Sequence, residues 1–301
     1  MSSDVLYHER DGVAVITLNR PEKKNTLTEA MVRGVADAVD SATASAGVAA
    51  IVVRGAGDTL TAGYDLTVND DAPPDAPRWG SPYAREGPTP RPGAWDPVVD
   101  YQFMGNNVRR FMKLWDCPKP VIGEIKGWAV GGATDLILCA DLLYMADDAH
   151  IGYAPSRIFG TPTTMMWVHR LGLEHAKQYL LTGRAIDATT AHRIGLVSEV
   201  VPAAELEAVV DTEAARFRAI PGNQLALNKL LINQAYENMG LRTSQMLGTF
   251  FDGMTRHTEE AYRWMESFAE KGFRQVIRER DAPWGDYGEA PTGRRPGPEE
   301  D

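Results

Sequence analysis

The chain has 301 residues, of which 44% are hydrophobic and 24% are charged, a composition typical of a globular protein. Its net charge of −10 disfavours nucleic acid as a partner, because a phosphate backbone would meet a repulsive field. The sequence shows no secretory signal, no apolar run of the roughly 18 residues of a membrane span, and no zinc-binding pattern around Cys117 and Cys139. We therefore expect a cytoplasmic protein that binds neither nucleic acid nor membranes.

The first half of the chain alternates between predicted strands and helices. Apolar runs predict strands at residues 13–18, 51–53, 121–125 and 142–145. A helix with an N-cap at Thr26 or Thr28 follows the first strand, and another helix opens at Gly132. This alternation predicts a mostly parallel sheet covered by helices.

The second half is predicted to be helical, with helices at residues 163–171, 174–181, 188–194, 204–220, 224–236 and 259–280. We divide the chain into an α/β core (1–200), a helical region (201–284) and a tail (285–301) expected to be disordered. Eight of the 19 prolines lie between residues 73 and 97, within an insertion assigned to residues 70–100. Proline at this density excludes regular structure, so the insertion is either a solvated loop or a lid over a ligand site.

Two glycine-centred turns carry the main functional signal. Residues 60–66 read Leu-Thr-Ala-Gly-Tyr-Asp-Leu, and residues 127–135 read Gly-Trp-Ala-Val-Gly-Gly-Ala-Thr-Asp. A glycine turn that opens a helix leaves backbone N–H groups without internal partners, and the helix dipole favours negative charge there. Two such donors on one carbonyl oxygen would form an oxyanion hole, worth about 3–4 kcal/mol per donor.

These turns belong to a set of motifs whose order resembles the crotonase superfamily, the enoyl-CoA hydratases and isomerases. The other motifs are Leu-Asn-Arg-Pro-Glu-Lys-Lys-Asn at 18–25, Lys-Pro-Val-Ile at 119–122, and Leu-Thr-Gly-Arg-Ala-Ile at 181–186 with Gly-Leu-Val at 195–197. The resemblance runs over nearly the whole chain. It implies an α/β spiral of repeated ββα units with an appended helical region that builds homotrimers or hexamers. It also implies an acyl-CoA thioester substrate, with no cofactor beyond the coenzyme A of the substrate and no metal.

The resemblance also implies roles for single residues. The N–H groups of Tyr64 and Gly132 correspond to the two oxyanion donors, and Asp135 stands where the family carries its first catalytic glutamate. Contacts to the acyl group or to coenzyme A are implied for Lys23, Lys24, Ala62, Gly63, Asp65, Leu66, Trp128, Gly131 and Tyr153. Among these, Ala62, Asp65 and Leu66 correspond to the segment at the adenine end. The two lysines either contact the CoA phosphates or form a solvated surface pair.

The chain departs from the family at the second acid. The family's second glutamate lies in a segment that here reads Ile-Gly-Tyr-Ala-Pro-Ser at 151–156, and no acid occurs between Asp148 and Glu174. Adding water requires a base and an acid, which one carboxylate can supply in turn, and one carboxylate can also shift a double bond. We expect an enoyl-CoA hydratase first and an isomerase next. Another reaction on the same scaffold and a non-catalytic acyl-CoA-binding oligomer remain open.

Asp135 is therefore either the proton carrier or a carboxylate that complements its helix N-terminus. Tyr153 and Ser156 either orient a water molecule or serve as packing and turn residues. His150 and His169 are less favoured bases, since neither has an identified partner. Lys271, Arg278 and Trp284 stand where the family's last helix can touch the coenzyme A of a neighbouring subunit.

Overall fold

A computed structural model describes residues 3–65 and 97–287, without the side chain of Val99. The strands of this part of the chain are β1 (Val5–Arg10), β2 (Val13–Leu18), β3 (Ala50–Gly55), β4 (Val121–Ile125), β5 (Trp128–Val130), β6 (Leu142–Ala146), β7 (His150–Gly152), β8 (Ile186–Asp187) and β9 (Glu199–Val201). They form a six-stranded sheet in the order β1-β2-β3-β4-β6-β9 and a three-stranded sheet in the order β5-β7-β8.

The topology confirms the predicted spiral. In the large sheet β1 is antiparallel to β2, and the remaining neighbours are parallel. β4 is followed by β5 and β6 by β7, so each successive pair places one strand in the large sheet and one in the small sheet. Every residue of β3 and β4 is buried, as expected for parallel strands covered on both faces.

The helices of the described residues are α1 (Glu29–Ala44), α2 (Pro97–Phe111), α3 (Lys113–Asp116), α4 (Gly132–Ile137), α5 (Met166–Thr182), α6 (Ala188–Arg193), α7 (Leu206–Arg216), α8 (Gly222–Asn238), α9 (Leu241–Arg256), α10 (Glu259–Lys271) and α11 (Phe273–Asp281). Thr28 is the N-cap of α1, and its side chain accepts a hydrogen bond from Met31 N–H. No helix in the described part of the chain is both long and apolar enough to cross a membrane.

The predicted break between the helices at 171 and 174 is confirmed, because Gly172 (φ 70°) has a non-helical conformation and interrupts α5. Other helix bounds were wrong: Gly272 (φ 81°) divides the helix expected over 259–280 into α10 and α11. The helix expected from residue 163 begins only at Met166. The sequence patterns predicted neither α2 nor α9, and α2 begins inside the insertion assigned to residues 70–100. Most of that insertion lies outside the described residues, so the choice between a loop and a lid remains a prediction.

The division of the chain near residue 200 also stays a prediction. Helix α7, which follows the proposed boundary, packs against the large sheet. Arg54 of β3 forms ion pairs with Glu207 (2.7 Å) and Asp211 (2.5 Å) of α7. Arg54 also pairs with Glu124 of β4 at 3.0 Å, so this guanidinium joins two strands to one helix.

Candidate active site

The two glycine turns lie side by side. Thr61 N–H donates to Trp128 O (3.1 Å) and Val130 N–H donates to Thr61 O (3.3 Å), which joins the first turn to β5. A Cβ atom on Gly63 would lie 2.6 Å from Val130 O and 3.7 Å from Gly132 N. Gly63 also has a φ of 98°, a conformation that favours glycine. The close approach of the two turns therefore depends on a residue without a side chain.

The hydrogen bonding of the first turn fixes the direction of the Tyr64 N–H group. Leu27 forms a parallel bridge with Tyr64, accepting from Asp65 N–H (3.0 Å) and donating to Gly63 O (2.8 Å). In such a bridge the central residue directs its own N–H and C=O to the opposite edge. For Tyr64 that edge faces β5 and the second glycine turn.

The second turn presents the N–H group of Gly132. Gly131 (φ 58°) turns the chain, and Gly132 is the first residue of α4, so its N–H has no acceptor within the helix. Among the described residues it donates to no other acceptor. Thr134 holds the turn by donating its N–H (2.8 Å) and its hydroxyl (2.7 Å) to Gly131 O. Gly132 thus offers a backbone N–H group beside the first glycine turn, 3.7 Å from the position of a Cβ atom on Gly63.

A cavity of about 630 Å³ opens over the two turns. Both predicted oxyanion donors line it, Tyr64 and Gly132, together with five of the predicted contact residues: Lys24, Ala62, Gly63, Trp128 and Gly131. Lys24 stands at an exposed edge, where its ammonium pairs with Asp58 at 2.9 Å. The ammonium of Lys24 is therefore near the cavity, but the carboxylate of Asp58 already neutralises it.

Other predicted residues do not line this cavity. Lys23 is exposed, and the Asp65 carboxylate pairs with Arg20 at 2.9 Å. Tyr153 is buried behind the cavity wall, and burial raises the pKa of its hydroxyl well above the ordinary value. Leu66 lies outside the described residues. Contacts of these four residues with a ligand remain predictions.

Asp135 lies in the first turn of α4, is almost completely buried, and is not itself among the residues that line the cavity, although its neighbours Gly131 and Gly132 are. Its Oδ1 accepts hydrogen bonds from Thr164 N–H (2.8 Å) and the Thr164 hydroxyl (2.9 Å). Burial raises the pKa of this carboxyl to about 7, although the hydrogen bonds from Thr164 act in the opposite direction. A carboxyl group with this pKa can take up and release a proton near neutral pH.

A second buried carboxylate near Asp135 was not predicted from the sequence. Asp252 of α9 is 5% exposed and pairs with Arg256 at 3.0 Å, and Arg256 pairs with Asp100 of α2 at 2.9 Å. The charge of Asp252 helps to raise the pKa of Asp135. The one signal in the sequence is the i, i+4 spacing of Asp252 and Arg256, which is equally typical of a surface pair.

The far wall of the cavity comes from the C-terminal helices and includes Phe268, Phe273, Ile277, Arg280 and Tyr287. The buried guanidinium of Arg157 holds this segment by pairing with Asp281 (2.8 Å) and Asp286 (2.6 Å). Residues 285–287, which begin the tail expected to be disordered, are therefore packed against the core. The rest of that tail lies outside the described residues.

The remaining candidates lie outside the cavity. Trp284 packs on Arg157, with the guanidinium carbon 4.8 Å from the centre of its ring. Lys271 pairs with Glu279 at 2.8 Å on the surface. His150 stacks on Trp128 at a centroid distance of 4.8 Å, and His169 packs edge-on against Tyr236. The structure therefore gathers none of these four side chains around Asp135.

The spiral of ββα units brings the two glycine turns to the wall of one cavity, and backbone N–H groups at such turns can bind an anionic oxygen. A sequence profile described as enoyl-CoA hydratase/isomerase matches residues 8–77 and 98–276. The chain belongs to this family, which is part of the crotonase superfamily.

Three relatives illustrate the range of the family. A crystal structure of enoyl-CoA hydratase from Mycobacterium smegmatis superposes with a TM-score of 0.85 at 38% identity, covering 95% of this chain and 96% of that one. The crotonyl-CoA hydratase of Syntrophomonas wolfei is 26% identical over 89% of this chain and 95% of its own length. The enoyl-CoA delta isomerase 2 of Rattus norvegicus is 28% identical over 77% of this chain and 55% of its own length.

Proposed function

We propose that the protein binds an acyl-CoA thioester and stabilises its enolate with the N–H groups of Tyr64 and Gly132. The observation that carries this proposal is the position of the two turns, which lie against each other in the wall of one cavity. Backbone donors fixed in this way stabilise negative charge on an oxygen that develops in the transition state.

The reaction we propose is the addition of water to a 2-enoyl-CoA. Asp135 takes a proton from water while the oxygen of that water bonds to the β-carbon, and the electron pair of the double bond moves into the enolate. The protonated Asp135 then gives its proton to the α-carbon, which restores the thioester carbonyl and the ionised carboxylate. A pKa of about 7 suits both steps, since neither protonation state is strongly favoured at neutral pH.

The shift of a double bond is the second candidate. It requires one group that removes a proton from one carbon and returns it to another, and Asp135 meets this requirement without a second acid. The similarity to an enoyl-CoA delta isomerase also supports it. Both reactions pass through the same enolate, so the two candidates share the same donors.

The test is a panel of 2-enoyl-CoA and 3-enoyl-CoA thioesters incubated in D₂O, with products weighed by mass spectrometry. The wild type, Asp135→Asn and Asp37→Asn are compared, the last being a matched change at an exposed carboxylate of α1. Hydration predicts the mass gain of one water in the wild type and the control but not in Asp135→Asn. Deuterium uptake with a shifted double bond would assign the isomerase. Binding of the thioesters with no chemical change would contradict catalysis and leave a binding protein.

We also propose that the protein assembles into homotrimers or hexamers. Large apolar side chains are exposed on α8 and α9, among them Leu227, Leu230, Leu231, Ile232 and Phe251. Several large apolar side chains exposed on neighbouring helices are typical of a protein–protein interface. Light scattering on the purified protein measures the mass, and a monomer at micromolar concentration would contradict this proposal. A cytoplasmic location is proposed with it, supported by the two buried, unbridged cysteines.

A further inference from the structure

The buried face of α9 holds the loop of residues 160–164, which precedes α5. Four hydrogen bonds join the two: Gly160 N–H to Thr255 Oγ1 (2.9 Å), Thr161 N–H to Asp252 Oδ1 (3.3 Å), Thr161 Oγ1 to Gly248 O (2.8 Å), and Gln245 Nε2 to Thr164 O (3.0 Å). One helix thus fixes both ends of a five-residue loop.

The same loop orients the catalytic candidate. Thr164, at its end, donates both its N–H and its hydroxyl to Oδ1 of Asp135. Both residues are buried, so neither group can exchange its partner for bulk water. A displacement of the loop would therefore move the donors of the Asp135 carboxyl or break their hydrogen bonds.

Asp252 is itself held firmly. Its Oδ2 accepts from Arg256 Nε (3.0 Å), and Arg256 Nη2 reaches Asp100 Oδ1 of α2 (2.9 Å). All three side chains are at least nine-tenths buried. Asp252 consequently connects the loop to a guanidinium that is anchored on a second helix.

Gly160 lies between Asp252 and a residue of the cavity wall, Pro155. A Cβ atom on Gly160 would lie 3.4 Å from Asp252 Oδ1, 3.7 Å from the Tyr153 hydroxyl and 3.3 Å from Cβ of Pro155. Pro155 lines the cavity, whereas Asp252 does not. Asp252 thus lies near Pro155 of the cavity wall without lining the cavity, and it acts through the residues that it contacts.

We propose that Asp252 is a positioning residue for Asp135. Through Thr161 it fixes the loop whose Thr164 orients the Asp135 carboxyl, and its negative charge acts on the same carboxyl across the dry interior. The proposal rests on the proposed function only for its effect on turnover, because the state of the Asp135 carboxyl can be measured without any substrate.

The direction of each effect follows from the groups around the two carboxyls. Ionisable groups facing Asp135 are Asp252 from α9, Tyr64 from the first glycine turn, Tyr153 from the segment after β7 and Cys139 from the end of its own helix. Asp100, Arg256 and His257 face Asp252. Burial raises the pKa of Asp135 most, Asp252 raises it further, and the hydrogen bonds from Thr164 lower it.

Two substitutions should therefore move the pKa of Asp135 in opposite directions. Asp252→Asn removes the negative charge but keeps an oxygen for Thr161 N–H, so the pKa of Asp135 should fall. Thr164→Val removes a donor to the ionised carboxyl, so the pKa should rise, whereas Thr164→Ser keeps the donor. Shifts of the order of one unit are expected for the loss of a like charge or of a hydrogen bond to the ionised form.

The experiment is a carbon-13 NMR titration of the full-length protein labelled at aspartate carboxyls. The Asp135 resonance is identified by its absence in Asp135→Asn. We expect a lower pKa in Asp252→Asn, a higher one in Thr164→Val, and the wild-type value in Thr164→Ser and in the matched control Asp37→Asn. An unchanged pKa in Asp252→Asn would overturn the inference.

If Asp252→Asn does not fold, Asp252→Glu serves as the second variant. It keeps the charge and the pairing with Arg256 but displaces the oxygen that accepts from Thr161, so faster hydrogen exchange of Thr164 N–H is expected. Unchanged exchange would overturn the positioning role. Shifted titrations in a protein that converts no thioester would refute the proposed function alone, and turnover with unshifted titrations would refute this inference alone.

Discussion

Asp135→Asn should make the protein less active and, at neutral to alkaline pH, more stable. Asparagine has the same shape and keeps the oxygen that accepts both hydrogen bonds from Thr164, so the substitution removes little except the titrating proton. General acid–base groups contribute about 10²–10⁴-fold to turnover, and we expect kcat to fall within that range. Binding of CoA thioesters should be unchanged, because the donors at Tyr64 and Gly132 are not altered.

The effect on stability follows from the difference between the two states. The pKa of Asp135 is about 7 in the folded protein and 3.8 for an aspartate carboxyl exposed to water, so between these values only the unfolded state is ionised. The free energy of unfolding therefore falls as pH rises through this window, by about 1.4 kcal/mol per unit and about 4 kcal/mol in total. The asparagine variant has no ionisable group at this position, so its free energy of unfolding does not fall in this way.

Urea denaturation at several pH values measures the difference. The variant should gain up to about 4 kcal/mol on the wild type between about pH 4 and pH 8. Asp37→Asn, at an exposed carboxylate, should follow the wild type throughout. A variant whose stability changes with pH in parallel with the wild type would refute the assignment of this pKa to Asp135.

Gly63→Ala should cost about 1–3 kcal/mol in thermal unfolding, because φ is 98° and the new Cβ would lie 2.6 Å from Val130 O. Gly132→Ala adds no such backbone strain, but its Cβ would lie 2.5 Å from the Tyr64 ring. We therefore expect a lower kcat in the thioester assay and a smaller loss of thermal stability than in Gly63→Ala. Arg157→Ala removes the guanidinium that joins Asp281 to Asp286 but leaves Arg280 paired with the buried Asp281, so we expect a loss of about 1–3 kcal/mol and early proteolysis of the C-terminal segment. Leu231→Asp should yield a smaller species in light scattering with an unchanged circular dichroism spectrum, since the side chain is exposed within one chain.

The strands and glycine turns could be predicted because their signals are local. β4 occurs at its predicted bounds, since Val121, Ile122 and Ile125 form a short apolar pattern between a proline and a glycine turn. The turns were identified because glycine permits backbone conformations that other residues avoid, as the positive φ values of Gly63 and Gly131 show. Their approach to each other was implied by the family resemblance, and the hydrogen bonds through Thr61 confirm it.

Helix α9 and its role at the site could not be predicted, because its hydrophobic pattern is inverted. Its buried face carries Gln245, Asp252 and Arg256, whereas Leu247 and Phe251 are exposed within the single chain. Periodicity identifies a helix by assuming that the apolar side faces the core. A helix whose polar face contacts the site and whose apolar face is exposed violates that assumption, so its acid could not be recognised as a neighbour of Asp135.

The central claim is that the N–H groups of Tyr64 and Gly132 polarise a thioester carbonyl. The most direct test is the infrared carbonyl stretch of an acyl-CoA carrying a carbon-13 label at the thioester, bound to Asp135→Asn so that no reaction follows. We predict a shift to lower wavenumber on binding, which Gly132→Ala diminishes in the same background. A bound thioester whose carbonyl stretch matches that in water would contradict the claim.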